Sequence, residues 1–345
     1  MDGVRVFIYE HMTGGGLAGE EMPETLAREG WAMLAAVAED FARASTRCEV
    51  AVTVDDRFEG RMRRLEEGGV RVFAVSQGEI EPVFVRLARE SGLTLLIAPE
   101  TGGVLAERSR GVLEAGGKLL GSAPDAIDLA GDKLQLARRL AEREVPAIPL
   151  VEVEIDGPPP ENSAYPAVLK PRDGAGSLWT YRIESRSQAP AAFRAAKNAG
   201  APPRMVLGPL ADGLAASQSF LIGPRTAIPL LAGEQILSAD GRFRYRGGRI
   251  PLPKDLGERA LRLGRRAIEA VPGLSGFVGV DLVLGNRDDG DRVVEINPRP
   301  TTSYVGLRKL ARGNLAETWL DAVRGAEPRP TEWREDRVEF APDGG

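Results

Sequence analysis

Cys48 and His11 are the only cysteine and the only histidine among 345 residues. That count excludes an intrachain disulfide framework, a Cys/His zinc site and a cysteine–histidine nucleophilic pair. A serine–histidine–acid triad would have to use His11, which follows the first predicted strand. Aromatic residues make up 6% of the chain, and no apolar run approaches the roughly 18 residues of a membrane span. A net charge of −5 leaves no basic excess to meet a nucleic-acid backbone. The start, "MDGVRVFIYEHM", has its apolar core broken by Glu10, which argues against a signal peptide. A cytoplasmic protein with small-molecule partners is expected, with no nucleic acid and no membrane; a homodimer is compatible with the sequence. Its chemistry must come from carboxylates, lysines, arginines, backbone amides and a hard metal ion bound by oxygen.

What is present alternates. "VRVFIY" (4–9), "CEVAVTV" (48–54), "VRVFAV" (70–75) and "LTLLIA" (93–98) read as strands. The segment 24–44 between the first two has Leu26, Met33, Leu34, Val37 and Phe41 near helical spacing. Strands alternating with helices predict a parallel sheet whose ligands sit in the loops after the strands, here "EHMTGGG" (10–16) and "PETGG" (99–103). Gly14, Gly15 and Gly16 do not complete a dinucleotide fingerprint; they suit a substrate loop or a plain tight turn. Beyond residue 120, Asp132 can cap a helix that Pro146 stops. "AVLKPRDGAGSLWTYRI" (167–183) then reads as a strand, a glycine loop and a return strand. The stretch 201–213 reads as a crossing, followed by a helix over 255–271 and a closing helix around 313–324. The proline-rich, charged tail 326–345 is expected to be loosely held.

The densest chemistry lies in "FVGVDLVL" and "RVVEINPR", which flank the polar turn 285–291 and predict a β-hairpin. Symmetry about residue 288 pairs Asp281 with Glu295. Alternation then puts Asp281, Glu295 and Asn297 on one face and Val280, Leu282, Val294 and Ile296 on the other. Two facing carboxylates repel unless they are protonated, countered by a cation or bound to metal. With Asn297 the donor set is all oxygen, which suits magnesium or manganese; the alternative is a charged strand facing solvent. Arg299 adds an anion-binding group at the same end. Lys170, on a strand before "PRDGAGS", is placed to meet polyphosphate, unless its head simply reaches water. Lys133 follows the cap Asp132.

In this order, Lys133, Lys170 with "RDGAGS", the segment "MVLGPL", Asp281 and "EINPR" resemble the ATP-grasp superfamily over roughly residues 1–325. The resemblance implies an α/β and α+β fold with an N-terminal pre-ATP-grasp (Rossmann-like) domain over 1–120. A central subdomain with a glycine-rich lid would span 121–205, a C-terminal subdomain with the metal and phosphate clamp 206–325, and a tail 326–345. It implies an ADP-forming carbon–nitrogen ligase that makes an amide through an acylphosphate. Lys133 and Lys170 would hold the α- and β-phosphates of ATP, with Gly174, Gly176 and Ser177 in a lid (172–177) that is mobile without nucleotide. Asp281, Glu295 and Asn297 would hold two Mg2+ or Mn2+ ions, and Lys170 and Arg299 would stabilise the developing charge. Adenine would meet the backbone near Met205 and Leu207. The hinge acid that usually holds ribose is replaced by Gly208 and Pro209, leaving Asp212 as a substitute.

"INPRPTTSYVGLRK" and "FIYEHMTGGG" look like the narrower branch that includes tyramine–glutamate ligase, found in methanofuran-type coenzyme biosynthesis. That resemblance implies joining glutamate to tyramine or tyrosine. Thr301, Thr302 and Ser303 would bind substrate near Arg299, with Glu10 and Gly14–Gly16 opposite. The Thr-Thr-Ser run also suits a helix cap, and Tyr304 suits either stacking on an aromatic amine or the core. The alternatives are another ATP-grasp amino-acid or dipeptide ligase and a non-catalytic nucleotide-binding protein.

Overall fold

The computed structural model describes residues 3–45, 48–174, 176–326 and 331–345. The alternating N-terminal third gives β1 (Val4–Glu10), α1 (Glu24–Ala42), β2 (Cys48–Asp55), α2 (Glu59–Glu67), β3 (Arg71–Val75), α3 (Ile80–Glu90), β4 (Leu93–Ile97) and α4 (Val104–Glu114). Its strands pair in parallel in the order β3-β2-β1-β4. Both faces of this sheet are covered by helices, so its strands read as near-continuous apolar runs. The carboxyl ends of β1 and β4 lie side by side, which brings the loops after Glu10 and Ile97 to one edge.

Two short helices follow, α5 (Pro124–Gly131) and α6 (Lys133–Glu142). Asp132 caps α6, accepting from the backbone amides of Leu134 (3.1 Å) and Gln135 (3.0 Å), as expected. The central unit comprises β5 (Val151–Glu154), β6 (Ala167–Pro171), β7 (Tyr181–Ile183), α7 (Ala189–Asn198) and β8 (Arg204–Pro209), with sheet order β5-β8-β6-β7. The crossing read over 201–213 is thus a paired strand of this sheet, and the division at 205/206 falls inside it. Nor do α5 and α6 belong to this unit by packing. Ala126, Ala130, Leu136 and Leu140 are buried against the next sheet.

That sheet contains β9 (Leu214–Gly223), β10 (Thr226–Pro229), β11 (Gly233–Leu237), β12 (Tyr245–Ile250), β13 (Gly276–Leu284), β14 (Arg292–Asn297) and β15 (Val338–Phe340). Its order is β14-β13-β9-β11-β12-β15, with β10 on β9. Helices α8 (Lys254–Glu269), α9 (Ser303–Leu310) and α10 (Leu315–Val323) pack on it. Residues 338–340 correct the expectation of a loose tail: they form β15, and Phe340 is buried in the core, while residues 327–330 lie outside the described residues. Among described residues, no helix is long and apolar enough to cross a membrane.

One core joins the first and last thirds. Phe41 of α1 meets Trp319 of α10 edge-on at 5.7 Å, and Trp319 packs against Phe277 and Tyr304. Tyr304 donates to Asp40 Oδ2 at 2.9 Å, so of the two roles considered for it, core packing holds. Burying rings of this size contributes roughly 1.5–3 kcal/mol each, which makes this contact a fixed wall rather than a hinge. The cleft between that wall and the central sheet holds the site.

Candidate active site

The hairpin β13–β14 pairs Asp281 with Glu295 and Gly279 with Asn297, as hairpin symmetry requires. Past Asp281 the register slips: Leu282 faces Val293 rather than Val294. The bulge buries Val293 and leaves Val294 half-buried, which corrects the expectation that Val294 shares the apolar face. Asn297 donates from Nδ2 to Asp281 Oδ2 at 3.2 Å, leaving its amide oxygen free of that bond. Burial, followed by repulsion from Glu295, pushes the Asp281 pKa up to about 7. Ser217 and Gln235 hydrogen-bond its carboxylate and oppose the rise.

Both lysines converge on this pair. Lys133, at the start of α6, places Nζ 3.2 Å from Glu295 Oε2 and donates to Gly174 O at 2.5 Å. Lys170 extends from β6 toward the same carboxylates. Burial and then Lys133 lower its pKa to about 8, against the attraction of Glu295 and Asp281. Burial would raise Glu295, but Lys133 and Lys170 outweigh it and hold this carboxyl below its ordinary value. Arg172 ties the arrangement together, bonding Asp132 through Nε (2.9 Å) and Glu152 through Nη1 (2.8 Å).

Asp281, Glu295 and the Asn297 oxygen give an oxygen-only donor set on one strand face, which fits a hard divalent cation. Among described residues no cluster of three or more acidic, histidine or cysteine ligands exists, so the protein would supply only part of a coordination shell.

The other nucleotide residues fall less neatly. Met205 and Leu207 are buried in the core of the central sheet, with Leu169, Val153 and Phe193. Their strand β8 is bonded on both sides, to β5 and β6. Alternation puts Val206, opposite Lys170, on the other face of the sheet, where it is also fully buried. Asp212 is exposed in the loop between β8 and β9. In the lid, Gly176 has φ +66° and Ser177 φ +59°, and Ser177 Oγ donates to Phe243 O at 2.7 Å. The described part of the lid is thus anchored to the β11–β12 connection, and Arg242 stacks over Tyr181 at 3.6 Å. Ala175, inside the expected lid, lies outside the described residues.

Arg299 leaves the end of β14 toward the N-terminal domain. Its Nε and Nη2 donate to the two oxygens of Glu100, at 2.9 and 3.0 Å, and Nη1 donates to Pro300 O at 3.2 Å. Next to it, Thr301 Oγ1 and Ser303 Oγ are 2.7 Å apart, Ser303 Oγ is 3.1 Å from Ser219 Oγ, and the Thr302 side chain bonds Tyr245. The run also opens α9, with Thr302 in the capping position but making no capping bond.

On the opposite wall the glycine loop behaves differently from the expectation. Glu10 is 2% exposed and accepts from Met12 N (3.0 Å), Thr13 N (2.6 Å) and Thr13 Oγ1 (2.6 Å). Burial raises its pKa. Gly14 and Gly15 are buried against Thr53, Val75 and Ile80, and Gly16 leaves no room for a side chain beside the His11 ring. These residues hold the loop's shape; Glu10 is spent on bracing it. A half-buried carboxylate on this wall comes instead from Glu29 on α1. A Cβ on the neighbouring Gly30 would lie 2.6 Å from Glu10 Oε1, so glycine lets Glu10 and α1 pack together. Glu29 makes no hydrogen bond or ion pair among the described residues. Burial raises its pKa, Arg299 lowers it, and its charge reaches Tyr245.

Sequence reading missed Glu29, Glu100 and Tyr245. Glu100 carried a signal, since it follows β4 in a loop at the ligand-binding edge. Glu29 carried none, because it matches any charge on the polar side of α1.

Comparison with known proteins places this site in a family. The model of the ATP-grasp domain matches residues 130–303, just over half of the chain, and that of the pre ATP-grasp 3 domain matches residues 48–127. A tyramine–L-glutamate ligase of Methanocaldococcus jannaschii is 30% identical over 116 residues, 32% of this chain and 36% of the relative. Its namesake from Methanocaldococcus fervens is 28% identical over 116 residues, 32% of this chain and 38% of the relative. The alignment therefore spans little more than a third of either relative's length. An ATP-grasp superfamily protein of Archaeoglobus fulgidus superposes with TM-score 0.71 at 22% identity, over 98% of this chain and 92% of its own. Biotin carboxylase of Campylobacter jejuni gives TM-score 0.74 at 13% identity, over 98% and 75%. The fold agrees with the sequence match: the chain belongs to the ATP-grasp family.

Proposed function

We propose that the protein is an ATP-dependent carboxylate–amine ligase that releases ADP and phosphate and joins glutamate to tyramine or tyrosine. The observation that carries this reading is the convergence of Lys133 and Lys170 on the Asp281–Glu295 pair, with Arg299 at the end of the same strand. The partial match to tyramine–L-glutamate ligases supports the choice of substrates.

In this reading Lys133 and Lys170 bind the α- and β-phosphates, and Gly174, Gly176 and Ser177 close over them. Asp281, Glu295 and Asn297 would hold two divalent ions, Mg2+ or Mn2+, which when bound offset the charge of the phosphates. Phosphoryl transfer is mainly positioning and electrostatics, and Lys170 and Arg299 supply both. The substrate carboxylate attacks the γ-phosphorus, giving an acylphosphate and ADP. The amine nitrogen then forms a bond to the acyl carbon while the bond to phosphate breaks. Glu29, whose charge acts on Arg299, is assigned to take the proton lost by nitrogen, and Arg299 stabilises the oxyanion. Thr301, Thr302 and Ser303, with Tyr245, line the amino-acid end.

ADP release with ATP and magnesium, across a panel of acids and amines, tests the proposal. Release that requires both glutamate and an aromatic amine is the expected outcome. Release with a different pair would keep the chemistry and discard these substrates. Tight ATP binding with no release from any pair would overturn the ligase reading.

A further inference from the structure

Arg299 is the residue on which the proposed chemistry turns, yet nothing on its own strand fixes its guanidinium. Glu100 does so from another domain. Its two carboxylate oxygens take Nε–H and one Nη2–H side-on, and the Pro300 carbonyl takes one Nη1–H. A guanidinium has five N–H donors. Three are thereby engaged, leaving one on each terminal nitrogen for an anion in the cleft. Both partners are largely buried, with side chains 15% and 8% exposed, so the pair is shielded from screening by salt.

The loop that carries Glu100 is itself held from two sides. The amide of Gly102 donates to Asp173 Oδ2, at the start of the lid, at 3.1 Å. On the other side, Gly131, just before the cap of α6, packs against the Glu100 stem, where a Cβ would lie 3.2 Å from Glu100 Cβ. Thus one loop touches the catalytic arginine, the lid, and the last residue of α5, just ahead of Lys133.

We infer that Glu100 is a positioning residue. It holds the Arg299 guanidinium with its remaining donors toward the acyl-phosphate, and the loop 99–103 registers that arginine with the lid and the phosphate-binding lysine. This rests on the ligase reading for the reaction, though not for the geometry. A competing account makes Glu100 an occupant of the anion site that substrate must displace, and the two accounts predict opposite effects.

The test uses Glu100→Gln, which keeps the shape but turns an amide N–H2 toward the arginine, and Glu100→Asp, which keeps the charge one methylene short. In turnover of glutamate with tyramine, Glu100→Gln is expected to lower kcat roughly 10- to 100-fold with the KM for ATP unchanged, as loss of a positioning contact does. Glu100→Asp is expected to recover part of that loss. Wild-type or higher kcat in both variants, or a lower KM for the acid at unchanged kcat, would overturn the inference. A crystal structure of Glu100→Gln decides independently of turnover: displaced Arg299 supports it, and Arg299 in its present place overturns it. Failure of the ligase reading would show differently, as no ADP release from the wild-type protein with any acid–amine pair.

Discussion

The two ends of the cleft are built by different means. At the phosphate end, adjacent strands do the positioning. Asp281 and Glu295 face each other because β13 and β14 pair, and β6 and the first turn of α6 bring in the lysines. At the carbon-substrate end, Glu29, Glu100, Tyr245 and the stretch from Arg299 to Thr302 come from four separated segments, brought together by the packing of the first and last thirds. In the proposed reading, strand register fixes a polyphosphate clamp that can serve any pair of carbon substrates. An end assembled from loops and one helix face can change its selectivity without disturbing that clamp.

The sharpest way to break the comparison is to damage the clamp and ask whether every substrate suffers. Lys170→Met is expected to cut kcat/KM by about 10³-fold or more with any acid–amine pair, because removing one preorganised charge-stabilising group costs on that order. A loss confined to one amine would show that the ends are not separable. The alkaline side sharpens the point. With the Lys170 pKa lowered to about 8 in the free protein, ATP binding should weaken as pH rises through that value. Lys170→Arg, always charged, should remove that limb if the longer fork is tolerated.

At the other end, Glu29→Gln is expected to lower kcat about 10²-fold while leaving the KM for ATP unchanged. Burial places the Glu29 pKa above the ordinary carboxylate value, with Arg299 opposing and Tyr245 nearby. The carboxylate is the active form, so the acid limb of the wild-type pH–rate profile should vanish in the variant. An unchanged profile would remove Glu29 from the reaction.

A third prediction concerns stability rather than rate. The Asp281 pKa is raised from 3.8 to about 7, so the native state holds a proton that the unfolded chain releases between those values. Stability therefore falls as pH rises through that window, and the penalty is complete above pH 7. Asp281→Asn, which keeps the hydrogen-bonding shape, should raise the Tm of the nucleotide-free protein by about a few °C at pH 8 and leave it nearly unchanged at pH 4. Equal shifts at both pH values would mean that charge repulsion is not the cause.

These differences also explain what could be read from the chain beforehand. Period-two alternation and hairpin symmetry specify which residues share a face, so Asp281, Glu295 and Asn297 were legible together. One bulge sufficed to misplace Val294. No such periodicity links Glu100 to Arg299. Their pairing depends on how β4 and β14, in different sheets, come to rest beside the shared wall. Glu10 shows the converse: its position at the mouth of β1 suggests a substrate contact, but the three donors that consume its carboxylate come from the conformation of its own loop.

That last contrast supplies the smallest effect and the finest test. Glu10→Gln keeps one acceptor and loses the other, leaving a buried donor of Thr13 or Met12 unpaired, at a cost of roughly 1–3 kcal/mol. Its signature should be a lower Tm with KM values little changed. Thr302→Val removes a hydroxyl that bonds Tyr245 at the mouth of the cleft, so it should raise the KM for the amino-acid substrate about two- to fivefold. Its effect on Tm should be the smaller of the two, because the side chain ends an element rather than braces one. Were Glu10→Gln instead to change KM and Thr302→Val to change Tm alone, the glycine loop would be the substrate wall and the Thr-Thr-Ser run only a helix start.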